Sequence, residues 1–192
     1  GMAFFKSLVK EHGKRYFEPI GKALAAAGIK KPNPMNPAHA WALKGPLSQY
    51  ARWFMGQKMQ MGSSPDLPKM PDALAEHARW ACDKLQGQPL VISGVMRKHQ
   101  LKLADRQCRM SYLSAQIQDM ITILATSLYA SQQDDEVVQA AADCVCDDLR
   151  RKITGKSPSD RYFRKVTKLG QTIADRGFAS IAGLKADEIL MP

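Results

Sequence analysis

Long apolar runs are missing from this sequence. The two most hydrophobic stretches, residues 23–29 and 120–128, fall far short of the about 20 residues that cross a bilayer. A signal-peptide pattern is missing as well, because Lys6, Lys10, Glu11, Lys14, Arg15 and Lys22 punctuate the opening segment. Together these absences lead us to expect a cytoplasmic protein. Cysteine and histidine are scarce, at four each. Cys82, Cys108, Cys144 and Cys146 do not form a secreted disulfide framework, and no C-x-x-C or paired Cys/His spacing marks a zinc site. On a helix, residues two apart diverge by about 200°, so the sulfurs of Cys144 and Cys146 should point to different neighbours as buried free thiols.

Recognisable chemistry is also lacking. His12, His39, His77 and His99 stand apart, with no H-E-x-x-H. There is no G-x-S-x-G, P-loop or G-x-G-x-x-G. Glu76-His77 and His99 are the groups that could join an acid–base pair in space. No catalytic, cofactor-binding or metal-ligating residue is assigned.

What the 192 residues do contain is 45% apolar side chains, enough for a packed core, and a net charge of +10. That excess suits an anionic partner such as a phospholipid surface, an acidic protein face or nucleic acid. It is dispersed, however, and residues 134–149 carry Asp134, Asp135, Glu136, Asp143, Asp147 and Asp148 with no lysine or arginine. The tryptophans Trp41, Trp53 and Trp80 sit at helical core spacing, not interleaved with lysines as a stacking platform, which disfavours nucleic acid.

Residues 95–154 hold neither glycine nor proline, the interval that most favours long helices. Within it Leu101, Ala104, Cys108, Tyr112 and Ala115 step by three or four, as do Leu113, Ile117, Met120, Leu124 and Leu128. Two apolar stripes on one helix require neighbours on more than one side. Asp105 and Arg109 can pair on its surface, with Lys98, Lys102 and Arg106 forming a basic edge.

Other ends are equally readable. Asn36-Pro37 is an N-cap followed by proline, Gly45-Pro46 interrupts, and Pro46 restarts a helix through Tyr50, Trp53 and Phe54. A helix then runs from Pro71 to about Leu85, followed by a loop over residues 87–94. A further helix starts in an acidic turn and ends in Arg150, Arg151 and Lys152 before Gly155, as the helix dipole favours. The last begins near Ser159, turns Tyr162, Val166, Leu169 and Ile173 inward, and stops at Gly177. The expected architecture is all-α, an up-and-down bundle of about five to six helices with a long central one. It divides into amphipathic helices over residues 2–61, a loop over 62–70, the bundle proper over 71–177 and a tail over 178–192.

At the N-terminus Phe5, Leu8, His12, Tyr16, Ile20 and Leu24 recur at helical spacing opposite Lys6, Lys10, Lys14 and Lys22, with a bend expected near Gly13 and Pro19. This is a bundle helix with solvated lysines, or a module for an anionic membrane surface. In the second reading Phe5, Leu8, Lys10, Lys14, Tyr16 and Ile20 make the contact.

Four segments in order, PDALAEHARWACDKL, VMRKHQLKLADRQCRMSYLSAQIQDMITILATS, EVVQAAADCVCDDLRRK and DRYFRKVTKLGQTIADRGF, resemble the C-terminal helical domain of very-long-chain-type acyl-CoA dehydrogenases. Its cues are Leu103-Ala104-Asp105, the cysteine-bearing penultimate helix, and Phe163, Ile173 and Arg176 before Gly177. The resemblance implies a noncatalytic bundle that packs on the catalytic part of an enzyme of fatty-acid oxidation and helps hold it at a membrane. FAD and the catalytic glutamate would belong to that catalytic part, so this chain itself would carry no cofactor. A homodimer is also compatible with it.

Overall fold

The computed structural model describes residues 2–33, 35–60, 65–99, 103 and 106–179, apart from the side chains of Met2, Phe4 and Phe5. The described residues are helical, without a strand. In order they are α1 (Met2–His12), a π-helical turn (Gly13–Phe17), α2 (Glu18–Ala26), α3 (Pro37–Gln60), α4 (Asp72–His99), α5 (Gln107–Ser131), α6 (Glu136–Thr154) and α7 (Asp160–Arg176). The chain is an all-α helical bundle. It forms two compact units, residues 1–63 with 86–115, and residues 64–85 with 116–192. Helices α4 and α5 therefore each contribute to both.

In the first unit α2 runs against α3. The bend expected near Gly13 takes the form of the π turn, closed by the Glu18 N–H donating to the Gly13 carbonyl five residues back. Tyr16, on this turn, is buried in an aromatic cluster, its ring 4.8 Å from Trp53, which in turn lies 4.7 Å from His12. Burial pushes the His12 imidazole below its ordinary pKa.

Three boundaries differ from the sequence reading. Gly45-Pro46 does not interrupt α3, which is continuous across it, with the Ser48 hydroxyl donating to the Gly45 carbonyl at 2.8 Å. Residues 87–94 are helical, not a loop, and α4 carries Pro89 inside it. The cost of Gly87, Pro89 and Gly94 is offset by tertiary contacts. Ile92 and Ser93 are buried, and the hydroxyls of Ser93 and Tyr50 are 2.7 Å apart. The glycine-free interval does not make one helix from residue 95 onward, because α4 ends at His99 and α5 begins at Gln107. The proposed pairing of Asp105 with Arg109, and the stripe positions Leu101 and Ala104, lie outside the described residues.

In the second unit α4, α5 and α6 meet in two buried apolar clusters. Ile123, Cys146 and Ala81 form one cluster, with Trp80, Leu124, Leu149 and Ile153 packed against it. Leu74, Ala130 and Ala142 form another, with Met70 beside it. The last helix starts at Ser159 as expected, with Ser159 Oγ accepting from Tyr162 N–H at 3.3 Å, and the acidic start of α6 supplies a cap of its own, the Asp135 carboxylate accepting from Val137 N–H at 2.8 Å. Gly155 closes α6 at φ +68°, a left-handed conformation that a side chain resists. The tail from residue 180 onward lies outside the described residues.

Cys144 and Cys146 do diverge. Cys144 lines a crevice with Leu169 and Thr172 of α7, whereas Cys146 packs on Ile123 of α5, with its sulfur 3.6 Å from Ser127 Oγ. Burial pushes the thiols of Cys82, Cys144 and Cys146 upward in pKa. Cys108, placed by its spacing in an apolar stripe, is exposed instead. In native protein one of the four thiols should therefore react quickly with an aromatic disulfide reagent, and the Cys108→Ser protein should show none reacting until it unfolds. Rapid modification of a second thiol would contradict the packing of α4 or α6.

Candidate functional site

Helix α6 carries Asp143, Asp147 and Arg150 at successive steps of four and three, which puts them on one face. Helices α4 and α7 face this row with His77 and Lys165. The His77 ring, 3% exposed, has Nε2 2.8 Å from Asp143 Oδ1 and Nδ1 3.0 Å from the Arg150 guanidinium. Arginine can only donate, so Nδ1 accepts and Nε2–H donates to Asp143. Lys165 Nζ lies 2.7 Å from the other oxygen of Asp143 and also pairs with Asp147. Arg150 reaches on to Glu76 at 2.9 Å and lies over the Trp80 ring. Alongside, Arg151 pairs with Asp148, which accepts the Tyr162 hydroxyl, and the Arg151 guanidinium lies 3.9 Å from the Tyr162 ring centre.

The electrostatics follow from these contacts. Burial alone would raise the Asp143 carboxyl, but hydrogen bonds from His77 and Lys165 hold it below the usual aspartate pKa. Burial works against the Lys165 ammonium, yet its two carboxylates hold it above the ordinary lysine value. The hydrogen bond from Arg150 draws Glu76 down. A cleft of about 480 Å³ opens beside the network, its walls including Trp80, Arg151, Ser157 and Arg161.

Two chemistries must be weighed for this cluster. His77, Asp143 and Asp147 bring potential metal-ligand atoms within 4.8 Å of one another. The Lys165 ammonium, however, already bridges the two carboxylates, so a divalent ion would have to displace it. As a general base His77 is similarly engaged, since the Nδ1 lone pair is taken by Arg150 and Nε2–H by Asp143. The arrangement binds α4, α6 and α7 together through paired charges. Sequence reading noted Glu76-His77 but missed its partners. The available signal was Asp143 and Asp147 four apart on a helix, a repulsive spacing that calls for a cation from elsewhere.

A second concavity lies wholly in the first unit. The walls of this trough, about 870 Å³ in volume, include Phe17, Ile20, Leu24, Leu47, Tyr50 and Met96. The cations Lys10, Lys14, Lys22 and Arg97 also line it, with Glu18 as the one carboxylate among the described residues of its lining.

The residues expected to meet a membrane separate accordingly. Leu8, Lys10 and Lys14 are exposed on α1 and the π turn, and Ile20 is half-buried in the trough wall. Tyr16 is buried among aromatic rings, where it cannot reach a surface. The Phe5 side chain lies outside the described residues. Trp41, expected in the core, is 76% exposed with the Lys44 ammonium 5.0 Å from its ring centre. Among the described residues no helix is long and apolar enough to cross a membrane. Comparison with known protein families, characterised proteins and solved structures finds no match.

Proposed function

We propose that the chain is a noncatalytic helical domain of a flavin-dependent acyl-CoA dehydrogenase, docked on the catalytic part that would hold FAD. The observation that carries this reading is a wet apolar face on α5. Ile121 and Tyr129 are 48% and 60% exposed, Ala125 lies between them, and Leu124 and Leu128 flank them half-buried. These five positions fall on one side of a helix whose opposite side, through Met120, Ile123 and Ser127, is buried. A contiguous apolar face of this kind marks an interaction surface. The resemblance supports the reading further, since its four segments run in order along α4 to α7. The closed ion-pair network around His77 is consistent with a supporting role. Exposed Leu8, Lys10 and Lys14 favour peripheral contact with an anionic membrane as an added property of the domain.

The purified chain should show no flavin absorbance and no acyl-CoA oxidation. Mixed with an acyl-CoA dehydrogenase catalytic part that lacks this domain, it should co-elute in gel filtration. Ile121→Asp with Tyr129→Asp should abolish co-elution while leaving the helical circular dichroism unchanged. Bound flavin or turnover by the chain alone, or a complex indifferent to both aspartates, would overturn the reading.

A further inference from the structure

We infer that the trough of the first unit is a binding site for a single long-chain fatty acyl anion, with the chain along the apolar walls and the head group among the cations. The inference stands apart from docking on a dehydrogenase, because it uses none of the α5 face.

Three observations support it. The walls come from α2, α3 and α4 together with the π turn, so the surface is a concavity built by several elements, not one helix face. An acyl chain can lie inside such a concavity, whereas the flat surface of a bilayer cannot enter it. The volume of about 870 Å³ falls in the range of small-molecule sites, about 300–1,000 Å³.

The second observation is charge. Among the described residues of the lining, Lys10, Lys14, Lys22 and Arg97 outnumber the carboxylate of Glu18, which pairs with Lys22 at 2.8 Å, and Glu11 beside the trough reaches Lys14 at 3.9 Å, so that a cationic excess persists. Apolar walls with a cationic excess are complementary to an amphiphile with an oily body and one anionic end. A neutral lipid would leave the cationic excess uncompensated, and a polar anion would leave the walls unused.

The third observation is the rigidity of the back wall. Tyr50 is held by its hydroxyl contact to Ser93 and by ring contacts to Phe17, Trp53 and Phe54. Arg97 stacks over Phe54 at 5.5 Å. These contacts fix the wall in place before any ligand arrives.

Gly21 provides a way to close the trough. It lies on the lining, and a Cβ built there meets nothing within 4 Å. A Cβ is therefore tolerated at position 21, Gly21→Trp should set a bulky ring on the lining of the trough, and replacing a mid-helix glycine favours the helix.

The probe is sodium palmitate below its micelle concentration, titrated into the full chain by calorimetry at low salt. Palmitate is expected to bind one per chain and to raise the melting temperature. Each buried methylene is worth about fourfold in affinity, so octanoate should bind at least about 100-fold more weakly. Gly21→Trp should abolish binding. The triple variant Lys10→Gln/Lys14→Gln/Lys22→Gln, altered only at exposed side chains, should weaken it about tenfold or more and remove most of its salt dependence. Should Gly21→Trp fail to fold, the triple variant and the chain-length series still decide the matter. Equal affinity for octanoate and palmitate, or wild-type affinity in both variants, would overturn the inference. So would binding to anionic phospholipid vesicles without binding to monomeric palmitate. Palmitate binding that appears only after residues 178–192 are removed would make the chain's own tail the occupant, and would likewise overturn it.

Discussion

Asp143→Asn should destabilise the second unit by about 2–3 kcal/mol at neutral pH, measured by urea unfolding. Asparagine keeps the size of the side chain but turns an amide NH₂ group, a donor, toward either the His77 N–H or the Lys165 ammonium, both donors themselves. The Lys165 charge then retains Asp147 as its partner in the network. The effect has a pH signature. Because the folded carboxyl titrates below the usual aspartate value, its contribution is fully present above the unfolded pKa of about 4 and is lost as pH falls through the folded value. Wild type should therefore lose stability on acidification more steeply than Asp143→Asn, and the two curves should converge at low pH. Combining Asp143→Asn with Lys165→Met should cost less than the sum of the single changes, since each removes the same contact. Parallel acid curves and strictly additive losses would show that the network contributes nothing to the fold.

The second large effect concerns α5. Ile123→Ala should cost about 2–5 kcal/mol, because Ile123 is 0% exposed and packs between Ala81 of α4 and Cys146 of α6. Two residues earlier, Ile121→Ala should change stability by no more than about 0.5 kcal/mol, since that side chain is largely in solvent. In thermal melts of a chain this size, the first substitution should lower the midpoint by about 10 °C and the second should leave it in place. The contrast tests the orientation of the helix directly. Equal costs at the two positions would mean that α5 is rotated from the arrangement described.

Sequence reading was most accurate where local chemistry decides structure. Gly155, Ser159 and Gly177 mark ends of α6 and α7 because capping acts within a turn of the residue concerned. It failed where distant contacts override propensity. Gly87, Pro89 and Gly94 suggest a loop, yet the packing of Ile92 and the Tyr50–Ser93 contact keep α4 helical through all three. Exposure was misjudged for a related reason. Cys108, Tyr112 and Trp41 have core-like spacing, but whether a neighbour covers a stripe is decided by tertiary structure. The ion-pair network was the least accessible, because His77 and Asp143 meet across 66 residues of chain. Periodicity places each on a helix face without saying which faces meet.

The wide turn over residues 13–17 has an evolutionary and engineering consequence. A π turn accommodates an extra residue within an otherwise continuous helix. Deleting a single residue there would restore ordinary winding and leave the helix faces on either side in phase with each other. Ile20 and Leu24 would keep their place in the trough wall. Natural variants one residue shorter at this turn should consequently keep the same trough wall, whereas a deletion in the regular winding of α2 would turn it away.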